Sequence, residues 1–547
     1  MINSETKILF PYEKAREGQE SLILEVLKAV KEKKNLMVHA PTGIGKTVSV
    51  LAPTLKFAID NDLTIFFLTS RHTQHKIVIE TLKEIRKVHK EDFLVADFIG
   101  KKNMCSVEGI TNLSNKEFYD YCNNVVEKSL CEFYSNSKRK SLRVERQNLI
   151  EEIQKINPIN VNDVVNLSKN RDFCGFEISC DLAKNANVII ADYFHILNSD
   201  IREALFFKIN KTLEKSIIIF DESHNLPNRC RDLMTENLSS NTINFALKEV
   251  EKFGFFEYQE FINLMLEIYD DVAKEKLLLD VDEVLLNKED IINRITKKID
   301  YFQLISDLDY LSEEVREKQR RSSIGSISNF LKAWINQDEG FVRIMKRGYF
   351  ANKNTYITIS YRCLDPSIVI KPILKKAYSC LFMSGTLRPM SMYKDLLGVN
   401  DANIKEYKNP FPEKNRLNII VNSVTTKFER RSDLMYQRIA EKCKKIIDSV
   451  PGNTIVFFPS YELLDKINFF LKTDKKVYFE KPNASNEERV DILNAFRSSY
   501  LEGAALMAVS SGSFGEGIDL PGDLLKCVVI VGLPLAKPDL ETKQLVT

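Results

Sequence analysis

Long hydrophobic runs are missing from this 547-residue chain: apolar stretches such as Ile217–Phe220 are far too short to cross a bilayer. The segment from Met1 to Phe10 is mixed polar and holds no apolar signal core. A soluble, cytoplasmic protein is expected. An excess of one charge sign is also lacking. With 78 basic and 76 acidic side chains the formal net charge is +2, so a polyanionic partner must be met by a local patch. Cysteine is sparse, ten in all with no Cys-x-x-Cys pair, which in a reducing cytosol excludes a disulfide scaffold. Low-complexity tracts and internal repeats are absent. What is present is 44% apolar content, enough for several cores and a prior of three or four domains.

Residues 1–100 alternate helix and strand signals, with an amphipathic helix at Gln19–Lys31 and strands at Leu36–Ala40, Thr64–Thr69 and Phe93–Phe98. This rhythm predicts a parallel sheet covered by helices. It breaks over 101–187, a polar segment with a charged helical stretch near Lys138–Ile156, and resumes at Val188–Ala191 and Ser216–Phe220. Residues 228–365 contain no proline and space Leu, Ile, Glu and Lys helically, so a mostly helical second insertion is expected. Ser379–Met383 is again a strand. A second α/β region begins near Asn409, with strands at Thr454–Phe458, Ala505–Val509 and Cys527–Val531.

Directly after the first strand comes Ala40-Pro-Thr-Gly-Ile-Gly-Lys-Thr47. Gly43 and Gly45 let backbone N–H groups curl around phosphates, Lys46 reaches the β- and γ-phosphates, and Thr47 offers a hydroxyl to Mg²⁺. The second signal is Ser216-Ile-Ile-Ile-Phe-Asp-Glu-Ser-His224, a strand that delivers two carboxylates at its carboxyl end. There Asp221 holds Mg²⁺ through water and Glu222 polarises the attacking water. An ordinary turn and a solvated strand end are the bland readings of either string alone; together they point to a nucleoside triphosphate site.

The Asp-Glu-x-His string resembles superfamily 2 helicases, in particular the DEAH-like XPD group with an iron–sulfur domain, in its archaeal form. Other motifs follow in the family's order. Phe10-Pro-Tyr-Glu-Lys-Ala-Arg-Glu-Gly-Gln19 resembles the adenine-reading motif, which puts Gln19 on the base. Leu68-Thr-Ser-Arg-His-Thr-Gln74 resembles the strand end that touches the DNA backbone, making Ser70 and Arg71 DNA-binding candidates. Ser384-Gly-Thr-Leu387 resembles the element coupling hydrolysis to movement through Ser384 and Thr386. Phe457-Phe-Pro-Ser-Tyr461 and Gly512-Ser-Phe-Gly-Glu-Gly-Ile-Asp519 resemble motifs of the second motor domain, with Ser460 facing DNA and Glu516 and Asp519 facing nucleotide.

The resemblance implies an α/β fold of two RecA-like parallel-sheet domains. The first motor domain comprises 1–100, 188–235 and 366–408, with an iron–sulfur insertion at 101–187 and a helical arch at 236–365; the second motor domain is 409–547. It implies an ATP-dependent 5′-to-3′ helicase and translocase on single-stranded DNA, at forks or bubbles, with a role in DNA repair, working as a monomer. Partners in a repair or transcription complex are left open.

Cys105, Cys122, Cys131 and Cys174 stand at gaps of 17, 9 and 43 residues, a spacing that does not separate an iron–sulfur cluster from a Cys₄ zinc site or unligated cysteines. Gly100-Lys-Lys-Asn-Met-Cys105, Leu130-Cys-Glu-Phe-Tyr134, and Cys174 ahead of Ala186-Asn-Val-Ile-Ile-Ala-Asp-Tyr193 resemble the family's cluster segments. By that resemblance the four thiolates hold a [4Fe–4S] cluster, with Cys180 as the spare. Lys101 and Lys102 beside it are phosphate-contact candidates or a solvated basic loop. Arg316, Lys318, Arg320 and Arg321 read first as a solvated helix end and second as the lining of the opening between the insertions.

The family's last motif, Gln-x-x-Gly-Arg-x-x-Arg, does not occur after Val529–Pro538 in this sequence. Either the chain is truncated or hydrolysis is impaired, since those arginines reach the γ-phosphate. The competing expectation is an ATP-binding, DNA-binding protein that does not hydrolyse.

Overall fold

Apolar runs bounded by glycine or polar turns become the first strands of the computed structural model: β1 (Leu36–His39), β2 (Thr64–Thr69), β3 (Val95–Asp97), β4 (Val188–Asp192) and β5 (Ser216–Asp221). The second insertion adds β6 (Glu236–Ser239), β7 (Glu283–Leu286), β8 (Phe341–Tyr349) and β9 (Thr355–Cys363). Then come β10 (Ser379–Ser384) and β11 (Asn403–Glu406), followed by β12 (Thr454–Phe458), β13 (Lys476–Phe479), β14 (Ala504–Val509) and β15 (Cys527–Ile530). The structure describes residues 8–546 except 111, 114, 278–280, 320–321, 351–353, 483, 517 and 536–538, so Arg320, Arg321 and Gly517 lie outside the described residues.

The chain divides into two units, Met1–Phe411 with Asp539–Thr547, and Pro412–Pro538. In the first, seven strands run in the order β11-β1-β10-β5-β2-β4-β3, every pair parallel. All residues of β1, β2, β3, β5 and β10 are buried, as strands covered on both faces must be. Polar, half-exposed β11 closes one edge, a composition that discourages further pairing. Helices such as Gln19–Lys31 and Lys46–Asp60 cover the faces. Two cores result, one around Phe66, Phe220 and Phe382 and one around Leu51, Phe67 and Ile219.

Two segments leave this sheet. Residues 101–187 form short helices, of which Arg143–Ile156 and Gly175–Lys184 share a core with Leu149, Ile153 and Phe173. The second insertion is mostly helical, and it also carries a sheet that the sequence did not announce. Its helices pack on an antiparallel sheet ordered β6-β9-β8-β7. β9 reads Thr355-Tyr-Ile-Thr-Ile-Ser-Tyr-Arg-Cys363, a β-branched and aromatic run of strand character that a proline-free, charge-rich neighbourhood hides. Phe341 and Tyr361 stack across β8 and β9 with ring centroids 4.5 Å apart.

The second unit is a parallel sheet ordered β13-β14-β12-β15. The sequence reading ran its domain from 409 to 547; the structure ends the unit at Pro538. The helix Leu540–Val546 belongs with the first unit, where the Leu540 N–H donates to Glu283 at 2.8 Å and Glu541 pairs with Arg362 at 2.7 Å.

Candidate functional site

The loop after β1 turns through two left-handed residues, Gly43 at φ 95° and Gly45 at φ 84°. The left-handed backbone disfavours side chains there, and a Cβ would also push neighbours aside: on Gly45 it would lie 2.4 Å from Gln19 Nε2, and on Gly43 2.6 Å from the Phe411 ring. Lys46 and Thr47 open the helix Lys46–Asp60, whose free N–H groups and dipole favour a phosphate. Gln19 is only 2% exposed and its amide is turned onto this loop. Its Oε1 accepts from the Arg16 N–H at 2.9 Å and its Nε2 donates to the Gly45 carbonyl at 3.4 Å. Arg16, which the sequence reading did not single out, donates to the Gly43 carbonyl at 2.5 Å.

Asp221 ends β5, two strands from β1 with β10 between them. Glu222 follows at φ 50°, an uncommon backbone for a residue with a side chain. Its N–H donates to Asp221 Oδ1 at 3.0 Å and its Oε1 stands 3.8 Å from Lys46 Nζ. The Tyr193 hydroxyl donates to the Asp221 carbonyl. Burial, with the charge of Glu222 added and that of Lys46 opposed, pushes the Asp221 carboxyl up to about 7. A cation at this carboxylate restores the ionised form. Burial also acts on Glu222, but the hydrogen bond to His224 and the charge of Lys46 outweigh it and hold this carboxyl below its ordinary value. Two adjacent carboxylates are thus held apart, Asp221 readily protonated until a cation arrives and Glu222 kept ionised.

β10 pairs Met383 with Asp221 and brings Ser384 to the same edge. Ser384 Oγ donates to Glu222 Oε2 at 3.1 Å and accepts from the Thr386 N–H at 3.1 Å; His224 Nδ1 lies 2.8 Å from the same hydroxyl. The Ser223 hydroxyl donates to the Met383 carbonyl at 3.2 Å, clamping β5 to β10. Lys46, Asp221, Glu222, His224 and Ser384 therefore form one connected site, legible as three motifs in the sequence but not as this network.

Of the DNA-binding candidates, Ser70 and Arg71 sit between β2 and the helix His72–His89. Lys101 lies over the rings of Tyr119 and Phe176, at 5.4 and 5.2 Å. Lys102 donates to the Leu113 carbonyl at 2.5 Å. Both lysines thus also brace the cysteine segment. In the second unit Ser460 caps the helix Tyr461–Asn468, Glu516 is exposed, and the Asp519 carbonyl accepts from Arg497 at 2.7 Å. The residue organising that unit's motif loop is Glu480, which the sequence reading missed. It is buried at the end of β13 and accepts from the Val509 N–H at 2.8 Å and from the Ser513 N–H.

Cys105, Cys122, Cys131 and Cys174 all line one cavity of about 30 Å³, shared with Lys101 and Phe176, while Cys180 is buried outside it. Burial raises the Cys105 thiol, with Cys122 and Cys131 adding to the effect, and pushes Cys174 up to about 11. Among the described residues no three His, Cys, Asp or Glu converge on a single ion. A cluster of several irons spreads its thiolates more widely than one zinc does, and four half-buried cysteines around one small cavity fit that donor set.

The DEAD_2 family matches residues 67–243, and the family described as helicase C-terminal domain matches 443–547. The chain is 27% identical to the probable ATP-dependent helicase MJ0942 of Methanocaldococcus jannaschii, over 97% of this chain and 83% of that protein. It is 23% identical to the general transcription and DNA repair factor IIH helicase subunit XPD/RAD3 of Saccharomyces cerevisiae, over 96% and 79%. A solved structure titled XPD_Helicase superposes with a TM-score of 0.63 at 22% identity, over 98% of this chain and 88% of that one. The chain thus carries a DEAD_2 domain and a helicase C-terminal domain, and along nearly its whole length it is similar to XPD- and Rad3-like helicases, whose fold it shares.

Proposed function

We propose that this protein is an ATP-dependent DNA helicase that translocates 5′ to 3′ on single-stranded DNA and serves DNA repair. The observation that carries the reading is the joined site at the ends of β1, β5 and β10. There Lys46 faces Glu222 at 3.8 Å, and Ser384 ties Glu222 to the neighbouring strand at 3.1 Å. The relatives named above support the activity; direction and pathway rest on the family resemblance.

The loop of Gly43 and Gly45 cradles the phosphates of ATP, and Lys46 neutralises the terminal ones. Thr47 and Asp221 are the residues that would hold Mg²⁺, which when bound draws charge from the phosphates. Glu222, kept ionised, orients and deprotonates the attacking water. Any movement of Glu222 on hydrolysis is felt at Ser384 and His224, and through Ser384 at Thr386, which gives β10 a route to transmit the nucleotide state. Gln19 holds the loop from behind and reads the base by a shift of its amide. Cys105, Cys122, Cys131 and Cys174 would hold a [4Fe–4S] cluster that pins the first insertion. Among the described residues no helix is long and apolar enough to cross a membrane.

The test is ATP turnover with and without single-stranded DNA, beside strand separation on a fork with a 5′ tail. DNA-stimulated turnover that Glu222→Gln lowers by two or more orders of magnitude, about 3 kcal/mol or more of barrier, is expected. A fork opened only from a 3′ tail overturns the direction. Tight ATP binding without turnover in the unaltered chain overturns the motor and leaves a nucleotide-gated DNA-binding protein.

A further inference from the structure

Three of the chain's six histidines gather at the carboxyl ends of β2, β4 and β3, outside the ATP site. His72 and His75 lie on the first turn of the helix His72–His89, directly after Ser70 and Arg71; His195 lies on the short helix after β4. Asp192, the last residue of β4, is their common partner. His72 Nε2 stands 3.2 Å from Asp192 Oδ2, His75 Nε2 stands 3.9 Å from Asp192 Oδ1, and His195 Nδ1 lies 3.2 Å from the Asp192 carbonyl. Asp97, the last residue of β3, receives His75 Nδ1 at 2.6 Å. The members differ in exposure. His75 and Asp97 are buried, whereas the His72 side chain is 47% exposed. Two atoms beside it, Gln74 Oε1 and His75 Nε2, are buried without a hydrogen-bond partner.

We propose that His72 is a proton-controlled grip for a backbone phosphate of the nucleic acid, held in place by Asp192. The inference rests on the reading of this protein as a DNA helicase and adds a linkage to that reading. With Nε2–H committed to Asp192, the ring's other nitrogen, Nδ1, decides the matter. Protonated, it donates to a phosphate oxygen and adds a positive charge next to Arg71 and the amino end of an 18-residue helix. Deprotonated, it turns a lone pair toward the same oxygen, and the contact is lost. Asp192 raises the affinity of His72 for its proton through their hydrogen bond, and Asp97 adds to this; partial burial opposes both. His195, buried, is driven the other way by its desolvation. His75 shares the helix turn, its ring 5.6 Å from that of His72. Only the exposed member of the cluster meets solvent and ligand, and the carboxylate behind it sets where it titrates.

The experiment is fluorescence anisotropy of a labelled oligothymidine single strand on the full chain, from about pH 6 to about pH 9 at constant ionic strength. Wild-type affinity should fall about fivefold or more as the pH rises, a coupling of ordinary allosteric size. His72→Gln should bind at the weak, high-pH level throughout. Asp192→Asn should shift the fall to lower pH, and His72→Lys should keep tight binding across the range. A His72→Gln profile that still falls as wild type does overturns the proposal, as does a wild-type profile that is flat while binding is strong. No binding of the strand at any pH overturns both this grip and the helicase reading on which it rests.

Discussion

Residues 236–365 bury a core of their own, with Trp334, Tyr269 and Phe330 fully out of water and joined by Leu308, Ile327 and Met345. Among the described residues, the cysteine-bearing stretch of the other insertion, 101–135, closes over a small separate cluster in which Ile110, Leu113 and Phe118 are buried. Each buried side chain of this kind contributes ~1.5–3 kcal/mol, while ordering a residue costs ~1–2 kcal/mol in backbone entropy. On that scale the arch can hold itself together and the cysteine stretch cannot. What the stretch has instead is three cysteines that line one cavity together with Cys174, and Lys101 and Lys102 fixed to its own rings and carbonyls. The arch is built by burial; the stretch 101–135, if its cysteines hold the proposed cluster, is built by cross-linking, and the difference gives each its own way to fail.

The largest expected effect is on the cross-linked side. Cys174→Ser, or removal of iron by a chelator, should leave 101–135 open to limited proteolysis while fragments spanning the arch and the seven-stranded sheet persist. The protein should lose its visible absorbance in step. Unchanged protease resistance after full loss of iron would show that those three buried side chains suffice, and the contrast between the insertions would fall.

The reverse experiment empties the arch. Trp334 is fully buried, and its indole N–H donates to the Lys288 carbonyl at 3.0 Å. Trp334→Ala should cost ~3–5 kcal/mol, from lost burial plus an orphaned carbonyl. Thermal unfolding followed by arch proteolysis reads this loss, while iron content and the absorbance of the other insertion should stay as in wild type. A cost below about 1 kcal/mol would mean that the arch leans on its neighbours more than on its own core.

This contrast also explains what the sequence disclosed. Parallel strands buried on both faces are near-continuous apolar runs, so Thr64–Thr69 and Thr454–Phe458 were legible to the residue. The ATP site was legible because phosphate chemistry demands glycines, a lysine and a strand-end carboxylate in sequence order. Three things were not. The arch sheet is formed by strands up to 125 residues apart in register, as between Glu236 and Tyr361, and no local pattern reports such a pairing. The polar edge strand β11 carries too few apolar residues to announce itself, and β13, only four residues long, is too short to do so. The contacts that organise the sites, Ser384 on Glu222, Glu480 on the loop at Ser513 and Asp192 among the histidines, join residues that only the fold makes neighbours.

The smallest effect is expected where the two insertions touch. The helix Asn115–Glu127 and the segment after it meet the arch helix Tyr301–Lys318 through two ion pairs, Lys128 with Glu317 at 3.3 Å and Asp120 with Arg316 at 3.5 Å. The first pair is exposed, at 41% and 54%, and such pairs contribute ~0–1 kcal/mol before salt screens them. The second differs in one respect: Arg316 Nε is buried without a hydrogen bond, so Asp120 is the charge that compensates it. Lys128→Ala should therefore leave the proteolysis of 101–135 almost unchanged, and 0.5 M salt should erase what little it does. Asp120→Ala should do more, and salt should restore less of it, because an uncompensated guanidinium remains. A double-mutant cycle on each pair, read as cleavage rate within 101–135, separates the two. Equal coupling energies, both abolished by salt, would mean that the insertions meet only through solvent-screened charge and that neither lends the other its fold.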